Sequence, residues 1–261
     1  MIYDVHAHIF PDDMAERVVS QLSAAGRVPA FTNGTLAGLI ASMNAAGIDV
    51  SIVAPVSTKA SQVKSINDFS ASAAGERIIP FGSLHPEFED IPGEVARMKS
   101  MGVRGIKLHP EYQAFHPDDE ALFPMYEQLE RAGLFILFHA GYDVEIPTLH
   151  STPAHFAHVH EIFPDLVLIL AHLGSWRLWD DVEEHLVGKN VYFDTSYVFD
   201  DIDPHQFRRI VLEHGPDRVL FGTDSPWTDQ SVEVERLRNS GLPDDVIEQV
   251  LGGSAVRLFS R

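Results

Sequence analysis

Eight short apolar runs, each followed by a longer stretch of helical periodicity, alternate along the whole sequence. The runs are apolar on both faces, which is typical of strands in a buried parallel sheet. Strands are predicted at residues 2–7, 48–54, 78–84, 103–108, 134–139, 166–171, 190–195 and 218–223. Eight alternating β/α units favour a closed (β/α)8 barrel over a doubly wound sheet, and no Gly-x-Gly-x-x-Gly motif follows any strand to indicate dinucleotide binding.

The segments between the strands predict the outer helices of such a barrel. They are placed near residues 35–46, 59–74, 90–101, 118–132, 152–163, 176–187, 203–214 and 231–251. A further short helix is predicted at 12–25, in an insertion at residues 9–34 that follows the first strand. This insertion and the segment 110–117 both follow C-terminal strand ends, where barrels carry their functional loops, so each is either a lid or a packing loop.

A length of 261 residues suits a single domain, because one barrel of this type takes roughly 250 residues. The expected domain is therefore 1–261. No apolar run reaches the roughly 20 residues of a membrane helix, and the first residues lead into a strand rather than a signal peptide. There is also no cysteine for a disulfide or a thiolate ligand. These features predict a cytoplasmic protein, and a homodimer is expected only because dimers are the commonest assembly.

The formal net charge of −19 argues against a nucleic-acid partner, because such a surface repels phosphates. The expected partner is a small molecule. If that molecule is an anion, local positive charges must overcome the field of the whole protein. A metal ion, Lys107, Arg104 and Arg177 are the candidates for those charges.

Twelve of the fourteen histidines fall into two classes. Six lie in helical or charged stretches and are expected to be solvated: His155, His158, His160, His185, His205 and His214. The others of interest end strands, together with other polar residues: His6, His8, Ser83, His85, Lys107, His109, His139, His172, Asp194 and Asp224. Because the C-terminal strand ends of a parallel barrel meet at one mouth, these side chains are expected to cluster there.

Four of these residues suggest a metal site. His6 and His8 lie two residues apart at the end of the first strand, so both imidazoles point to the same face. His139 ends the fifth strand, where a buried imidazole needs a partner, either as a ligand or in a core hydrogen bond. Asp224 ends the eighth strand. Its carboxylate could bind the cation and accept a proton from metal-bound water, and the alternative is that it caps the N-terminus of a helix. The set suits one Zn²⁺ with a position open for water, although Mn²⁺ and Fe²⁺ accept the same ligands.

Two further strand-end residues are expected to act beside the metal. His172, after the sixth strand, is expected to be a general acid or base or to polarise a carbonyl, with a further ligand as the alternative. Lys107 is expected to bind a substrate carboxylate; the alternative is a carbamylated Lys107 that bridges two metal ions. Residues expected to line the mouth are His109, Tyr112, Gln113, Tyr142, Trp176, Tyr197 and Trp227. Among them His109, Tyr142 and Trp227 join Lys107 as the predicted substrate-binding residues.

The motifs that carry these residues resemble a known family. They are Asp-Val-His-Ala-His, Gly-Ile-Lys-Leu-His-Pro, Phe-His-Ala-Gly, Ala-His-Leu-Gly and Phe-Gly-Thr-Asp-Ser-Pro-Trp. Together they resemble the amidohydrolase superfamily, and within it the "amidohydrolase 2" group that includes aminocarboxymuconate-semialdehyde decarboxylase. The resemblance extends to the last helix, where Ser254 replaces the usual Asn, and departs at Gly174-Ser175, where Gly-Gly is common.

The resemblance implies one metal ion held by His6, His8, His139 and Asp224, with His172 as the catalytic histidine. The favoured activity is hydrolysis of a C–N or C–O bond in a small molecule by metal-activated water, with Asp224 and His172 moving protons. The alternative is non-oxidative decarboxylation of a small aromatic or unsaturated acid, in which His172 protonates the carbon. A non-catalytic metal- or ligand-binding protein is the third hypothesis. Fold alone does not choose among them.

Overall fold

A computed structural model describes residues 1–260, and in it the strands lie parallel in two hydrogen-bonded groups that together form a closed barrel. The strands are β1 (Tyr3–Ala7), β2 (Val50–Val53), β3 (Ile78–Pro80), β4 (Gly82–Ser83), β5 (Gly105–Leu108), β6 (Phe135–Phe138), β7 (Leu168–Leu170), β8 (Tyr192–Asp194) and β9 (Val219–Leu220). The amide of Val5 donates to the carbonyl of Phe221 at 2.9 Å, which joins the last strand to the first. The predicted (β/α)8 barrel is confirmed.

The predicted third strand, 78–84, is interrupted at Phe81. On one side of the break β3 pairs with β2, and on the other β4 pairs with β5. The amide of Phe81 donates to the carbonyl of Val53 at 2.9 Å, so the backbone remains in the sheet through the break. β3 and β4 therefore occupy a single strand position, and the barrel has the eight positions that the sequence predicts.

Helices cover the outside of the barrel, as the alternation predicts. They are α1 (Ala15–Gly26), α2 (Leu36–Ala46), α3 (Val63–Ser72), α4 (Ile91–Ser100), α5 (Pro110–Gln113), α6 (Phe123–Ala132), α7 (Pro153–Ile162), α8 (Trp179–His185), α9 (Pro204–His214), α10 (Gln230–Arg238), α11 (Asp244–Glu248) and α12 (Ser254–Phe259). The helix predicted in the insertion after β1 is present as α1. None of the helices in residues 1–260 combines the length and the hydropathy needed to cross a bilayer.

The helix predicted at 231–251 is not continuous. α10 ends at Arg238, and α11 begins at Asp244 after Gly241, whose φ is +79°, and Pro243. A left-handed glycine and a proline both stop a helix, because the first reverses the backbone and the second has no amide proton to donate. A π-helical turn at Gln249–Gly253 then joins α11 to α12.

α12 closes the bottom of the barrel. Its Phe259 ring contacts Phe81 at 6.2 Å and Phe135 at 5.4 Å between ring centroids. These rings belong to an apolar cluster inside the barrel that also contains Val5, Ile52, Ala54, Leu137, Ile169, Ala171, Tyr192, Leu220 and Leu258. Alternate residues of the same strands face the outer helices in a second cluster. The inner space is therefore mainly apolar at its base.

His214 was expected to be solvated, and the structure contradicts this. The residue is fully buried at the end of α9, where its ring stacks on Phe193 at 3.9 Å between centroids. Its Nε2 donates to the carbonyl of Val191 at 2.9 Å, and its Nδ1 accepts from the amide of Gly188 at 3.2 Å. The charged neighbours in the sequence indicated a surface position, but the apolar face of α9 points this side chain inward.

Candidate active site

His6 lies at the centre of the polar cluster at the top of the barrel. Its Nδ1 is 2.9 Å from Oδ2 of Asp194, and its Nε2 is 3.0 Å from Nζ of Lys107 and 3.4 Å from Oδ1 of Asp224. Because a carboxylate only accepts, Nδ1 carries the ring proton and Nε2 keeps its lone pair. Burial, reinforced by the Lys107 charge, lowers the pKa of His6 to about 4, so the imidazole is neutral.

His8 and Asp224 complete a group of three possible ligands. Nε2 of His8 is 3.0 Å from Oδ1 of Asp224. Asp224 has a left-handed φ of 63°, a strained backbone for a residue other than glycine, and its amide donates to the carbonyl of His6 at 2.7 Å. Burial acts to raise the pKa of this carboxyl, but His6 and His8 outweigh it and hold the pKa well below its ordinary range. Asp224 is therefore ionised.

The donor atoms of His6, His8 and Asp224 fit a divalent cation. They lie within 4.8 Å of one another, and together they offer two imidazoles and one carboxylate. Asp194 holds the second nitrogen of His6, as outer carboxylates do at metal sites. Burial acts to raise the pKa of Asp194, but His6 outweighs it and keeps the pKa far below its ordinary range. The sequence placed Asp194 at a strand end without assigning it a role.

Lys107 points into the same cluster and is 1% exposed. Within residues 1–260, no carboxylate oxygen lies within 4.0 Å of its Nζ, and its hydrogen-bond contact is Nε2 of His6. Burial lowers the pKa of Lys107 to about 8, although the negative charges of Asp194, Asp224 and Glu111 act to raise it. The site thus contains a buried amine without a directly paired countercharge, which is costly unless an anion joins it.

His172 and His139 form a hydrogen-bonded pair beside His6. Nε2 of His172 is 3.1 Å from Nδ1 of His139, and Nδ1 of His172 donates to the carbonyl of Ser196 at 2.9 Å. Nε2 of His139 is 3.1 Å from the carbonyl of Tyr142. His172 has a left-handed φ of 60°, and its amide donates to Asp194. The fixed Nδ1 leaves Nε2 as the nitrogen of His172 that can exchange a proton.

His139 falls in a second group of possible ligands, with His109 and Asp143. The rings of His109 and His139 stack with centroids 4.0 Å apart and planes 8° apart. Burial, with the nearby Lys107 charge among the other contributions, lowers the pKa of both imidazoles well below the ordinary value. Asp143 was not predicted, because it lies in an irregular loop after β6 that shows no hydrophobic periodicity.

A cavity of about 640 Å³ opens beside these clusters. Its walls include Gly26, Val28, Pro29 and Phe31 from the insertion after β1, which therefore covers one side of the mouth. Tyr142 and Trp227, both predicted to contact substrate, also line the cavity, as do Trp176 and Tyr197. Asp143 belongs both to this wall and to the second histidine group, so the cavity reaches the polar cluster there.

Two cations stand at the rim of the cavity, and both are paired. Arg177 lies 4.1 Å from the ring centroid of Trp176 and donates to Asp201 at 2.7 Å. Arg236 donates to Asp200 at 2.6 Å. The predicted mouth residues His109 and Gln113 are instead buried, and Gln113 uses its amide to bind the carbonyls of Ser57 and Leu84. Lys107 is therefore the cation available to an anion that reaches the cluster.

The sequence matches a family model described as amidohydrolase over residues 3–261. A dihydroorotase of Mycosarcoma maydis is 21% identical over 253 residues, which cover 85% of this chain and 59% of that protein. A 2-amino-3-carboxymuconate-6-semialdehyde decarboxylase of Dictyostelium discoideum is 25% identical over 235 residues, covering 74% of this chain and 65% of that protein. The chain thus spans less than two thirds of the length of both curated relatives.

Solved structures share the fold over nearly the whole chain. An uncharacterised TIM-barrel protein from Bordetella bronchiseptica has a TM-score of 0.81 at 22% identity, covering 99% of this chain and 98% of that one. A dihydroxybenzoic acid decarboxylase from Polaromonas sp., with bound manganese and the inhibitor 2-nitroresorcinol, has a TM-score of 0.73 at 18% identity, covering 99% and 96%. At these identities the likeness concerns the fold.

Proposed function

This chain belongs to the amidohydrolase family, and from that premise we propose that it is a metal-dependent decarboxylase of a small aromatic or unsaturated carboxylic acid. The family resemblance of the strand-end motifs is confirmed, and the protein is an enzyme of the amidohydrolase superfamily. Decarboxylation was the alternative hypothesis from the sequence. The properties of Lys107 and of the adjoining cavity support placing it first.

Buried Lys107 is the observation that carries the proposal. Its amine lies beside His6 without a carboxylate within 4.0 Å in the described chain, so a substrate carboxylate would supply the missing countercharge. A charge-assisted hydrogen bond to a buried ammonium is short and strong. The cavity next to the cluster has aromatic walls, which suit a planar substrate. The curated decarboxylase relative and the manganese-containing decarboxylase also act on acids, by their names.

His6, His8 and Asp224 would hold the metal ion in this proposal, with His139 as the fourth ligand that the resemblance implies. A bound divalent cation would supply concentrated positive charge that polarises the carboxylate or water beside it. Imidazole and carboxylate donors accept both Zn²⁺ and Mn²⁺. Zn²⁺ is the ion predicted from the sequence, and the manganese in a structural neighbour makes Mn²⁺ an equal candidate.

The protein side chains then divide the work of decarboxylation. Lys107 binds the carboxylate and orients it, while Tyr142 and Trp227 enclose the rest of the substrate and exclude water. The bond between the carboxylate and its carbon breaks, the electron pair stays on that carbon, and CO₂ leaves. His172 first takes up a proton from solvent at Nε2, because its Nδ1 already carries the hydrogen that binds the carbonyl of Ser196, and it then gives that proton to the carbon. The step consumes no oxidant or reductant.

The test is to incubate the Mn²⁺- or Zn²⁺-loaded protein with a panel of hydroxybenzoic and unsaturated carboxylic acids and to measure CO₂. We expect stoichiometric CO₂ with at least one acid, and loss of at least 100-fold in rate in His172→Asn, since general acid catalysis contributes about 10²–10⁴-fold. In deuterated water the product should carry deuterium at the carbon that lost the carboxylate. A reaction that yields no CO₂ from any acid in the panel contradicts the proposal.

Hydrolysis is the second candidate, and the state of Asp224 favours it. An ionised carboxylate next to His6 and His8 is suited to accept a proton from water, which is the role predicted from the sequence. The curated relative named dihydroorotase is consistent with this alternative. Turnover of an ester, lactone or cyclic amide in H₂¹⁸O, with one ¹⁸O atom in the product and no CO₂, would establish hydrolysis instead.

A further inference from the structure

Glu111 is buried directly behind the polar cluster, on the short helix α5 that follows β5. Its Oε1 accepts from the amides of His150 and Ser151 at 3.2 and 3.1 Å and from Oγ of Ser151 at 2.7 Å. Its Oε2 is buried and has no hydrogen-bond partner in residues 1–260. A buried carboxylate oxygen of this kind calls for an explanation, because nearly all buried polar atoms are hydrogen-bonded.

The unpartnered oxygen of Glu111 faces two imidazoles. Oε2 lies 3.9 Å from Nε2 of His139 and 3.8 Å from Nδ1 of His109. Burial raises the pKa of Glu111 to about 7, so a negative charge at this position is costly unless positive charge lies close to it. Positive charge that reaches one of these two rings would therefore stabilise the ionised carboxylate.

The hydrogen bonds of His139 determine which of its nitrogens can meet a metal ion. Nε2 lies 3.1 Å from the carbonyl of Tyr142, and because a carbonyl only accepts, Nε2 carries the ring proton. The neutral imidazole then has its lone pair on Nδ1. Nδ1 is 3.1 Å from Nε2 of His172, whose ring neighbours that of His6 with centroids 5.6 Å apart. Nδ1 of His139 therefore faces the proposed metal ligands, and Nε2 faces Glu111.

The other oxygen of Glu111 holds the loop that supplies this carbonyl. The loop joins β6 to α7 over residues 139–152 and includes Tyr142. The amide of Gly141 donates to the carbonyl and to Oγ of Ser151, both at 3.1 Å, and so closes the loop. Because Glu111 binds the amide and the hydroxyl of Ser151, it fixes this closure. One carboxylate therefore lies close both to the ring proton of His139 and to the backbone that accepts this proton.

From these contacts we propose that Glu111 is a positioning residue for the metal ion and that it acts through His139. The inference rests on the proposed function, in which His139 is the fourth ligand of the ion. An ion on Nδ1 withdraws electrons from the ring and makes the hydrogen on Nε2 more positive, and the negative charge of Oε2 stabilises that hydrogen. Asp194 faces Nδ1 of His6 in the same way. Two of the proposed ligands are thus each supported by a buried carboxylate.

The experiment measures the affinity for Zn²⁺ and requires no substrate. Chelated wild type, Glu111→Gln, His139→Ala and the double variant compete for Zn²⁺ with a chromogenic chelator at about pH 8, above the pKa of Glu111. Glutamine keeps the shape of the side chain and an oxygen for Ser151, and it removes the charge. Glu120→Gln removes the same charge from an exposed position and is the matched control. Circular dichroism of each chelated variant verifies that the fold is retained.

We expect Glu111→Gln to weaken Zn²⁺ binding by about 10–100-fold, the usual cost of losing an outer partner of a metal-bound histidine. In the His139→Ala background the same substitution should change the affinity by less than about threefold, because the ligand through which Glu111 acts is gone. Glu120→Gln should bind Zn²⁺ like the wild type. In a crystal of the Zn²⁺-loaded wild type, the ion should lie on Nδ1 of His139, with Oε2 of Glu111 still beside Nε2.

Four results overturn the proposal. They are an unchanged affinity in Glu111→Gln, an equal loss with and without His139, a crystal with the ion on Nε2 of His139, and a wild-type affinity in His139→Ala. The second result would assign Glu111 a purely structural role in the loop, and the last would also refute His139 as a ligand. Failure of the proposed decarboxylation is a separate outcome, because it leaves these Zn²⁺ affinities unchanged and shows only as the absence of CO₂.

Discussion

Nδ1 of His6 lies 2.9 Å from Oδ2 of Asp194, and this contact determines which nitrogen of His6 is available to a metal ion. The other oxygen of Asp194 accepts from the amides of His172 and Ser196 at 3.1 and 2.9 Å. One carboxylate therefore fixes the ring proton of His6, a proposed metal ligand, and the backbone of His172, the proposed acid. Asp194 acts through both as a positioning residue.

Asp194→Asn should weaken Zn²⁺ or Mn²⁺ binding by about 10–100-fold, the usual cost of losing an outer partner of a metal-bound histidine. An amide NH₂ in place of Oδ2 would face Nδ1 as a donor and push the ring proton onto Nε2. Competition with a chromogenic chelator measures the affinity. Asp201→Asn is the control, since Asp201 holds Arg177 at the rim. Equal metal affinities for Asp194→Asn and the wild type would contradict the assigned role.

Lys107→Met should strongly reduce activity on acids and at the same time stabilise the fold. Loss of a buried charge partner for the substrate corresponds to about 2–5 kcal/mol, or at least about 30-fold in kcat/KM. Removal of an ammonium that has no countercharge should raise the free energy of unfolding by about 1 kcal/mol or more. Urea unfolding of chelated protein measures the second effect. Lys64→Met, at an exposed position, provides the comparison; a destabilised Lys107→Met would indicate a structural role for the amine.

His214 should make the fold less stable in mild acid. Burial lowers the pKa of His214 to about 4 from 6.5. Between these two values the unfolded chain binds the proton and the folded protein does not, so the free energy of unfolding falls as the pH falls from 6.5 to about 4. This contribution amounts to up to about 3 kcal/mol. Above pH 6.5 both states are neutral and the contribution vanishes.

The comparison of wild type with His214→Gln isolates this effect. Glutamine at this position does not titrate, so the stability difference between the two proteins should shift in favour of the variant as the pH falls through that window. Urea unfolding at several pH values, on chelated protein, measures it. His205→Gln, at an exposed position on the same helix, should show no such trend. Parallel pH curves for wild type and His214→Gln would exclude His214 as the source.

Phe259→Ala tests the role of α12 as the base of the barrel. The substitution removes a ring that contacts Phe81 and Phe135 and should lower the free energy of unfolding by about 3–5 kcal/mol. Metal content should remain that of the wild type, because the proposed ligands His6, His8 and Asp224 lie at the opposite end of the strands. Thermal unfolding and zinc analysis measure the two quantities. Val256→Ala, on the outer face of α12, should cost less than about 1 kcal/mol.

The fold was predictable because each strand of a parallel barrel produces a recognisable pattern in a short stretch of sequence. Each buried strand is a continuous apolar run, and each active-site residue ends such a run, so His6, His8, His172 and Asp224 could be placed at one mouth. Features that depend on distant contacts could not be predicted in this way. The pairing of Asp194 with His6 spans 188 residues, and no local pattern indicates it.

Other differences have equally specific physical causes. The helix predicted at 231–251 is broken at Gly241 and Pro243. The prediction followed the periodic pattern of the whole segment and gave these two helix-breaking residues too little weight. The burial of His214 depends on which face of α9 meets Phe193. Asp143 lies in a segment without periodicity, and its position beside His109 and His139 becomes visible only in the structure.

The closure of the barrel between β1 and β9 also determines the order in which the parts of the polar cluster come together during synthesis. His8 and Asp224 are 216 residues apart in the chain and meet only across this last seam. At a synthesis rate of about 5–20 residues per second, the two imidazoles emerge from the ribosome about 10–40 s before the carboxylate that completes their group. During that interval a nascent chain offers two ligands and an open sheet edge. With the proposed ligands, tight capture of the ion is therefore expected among the last events in the maturation of this enzyme.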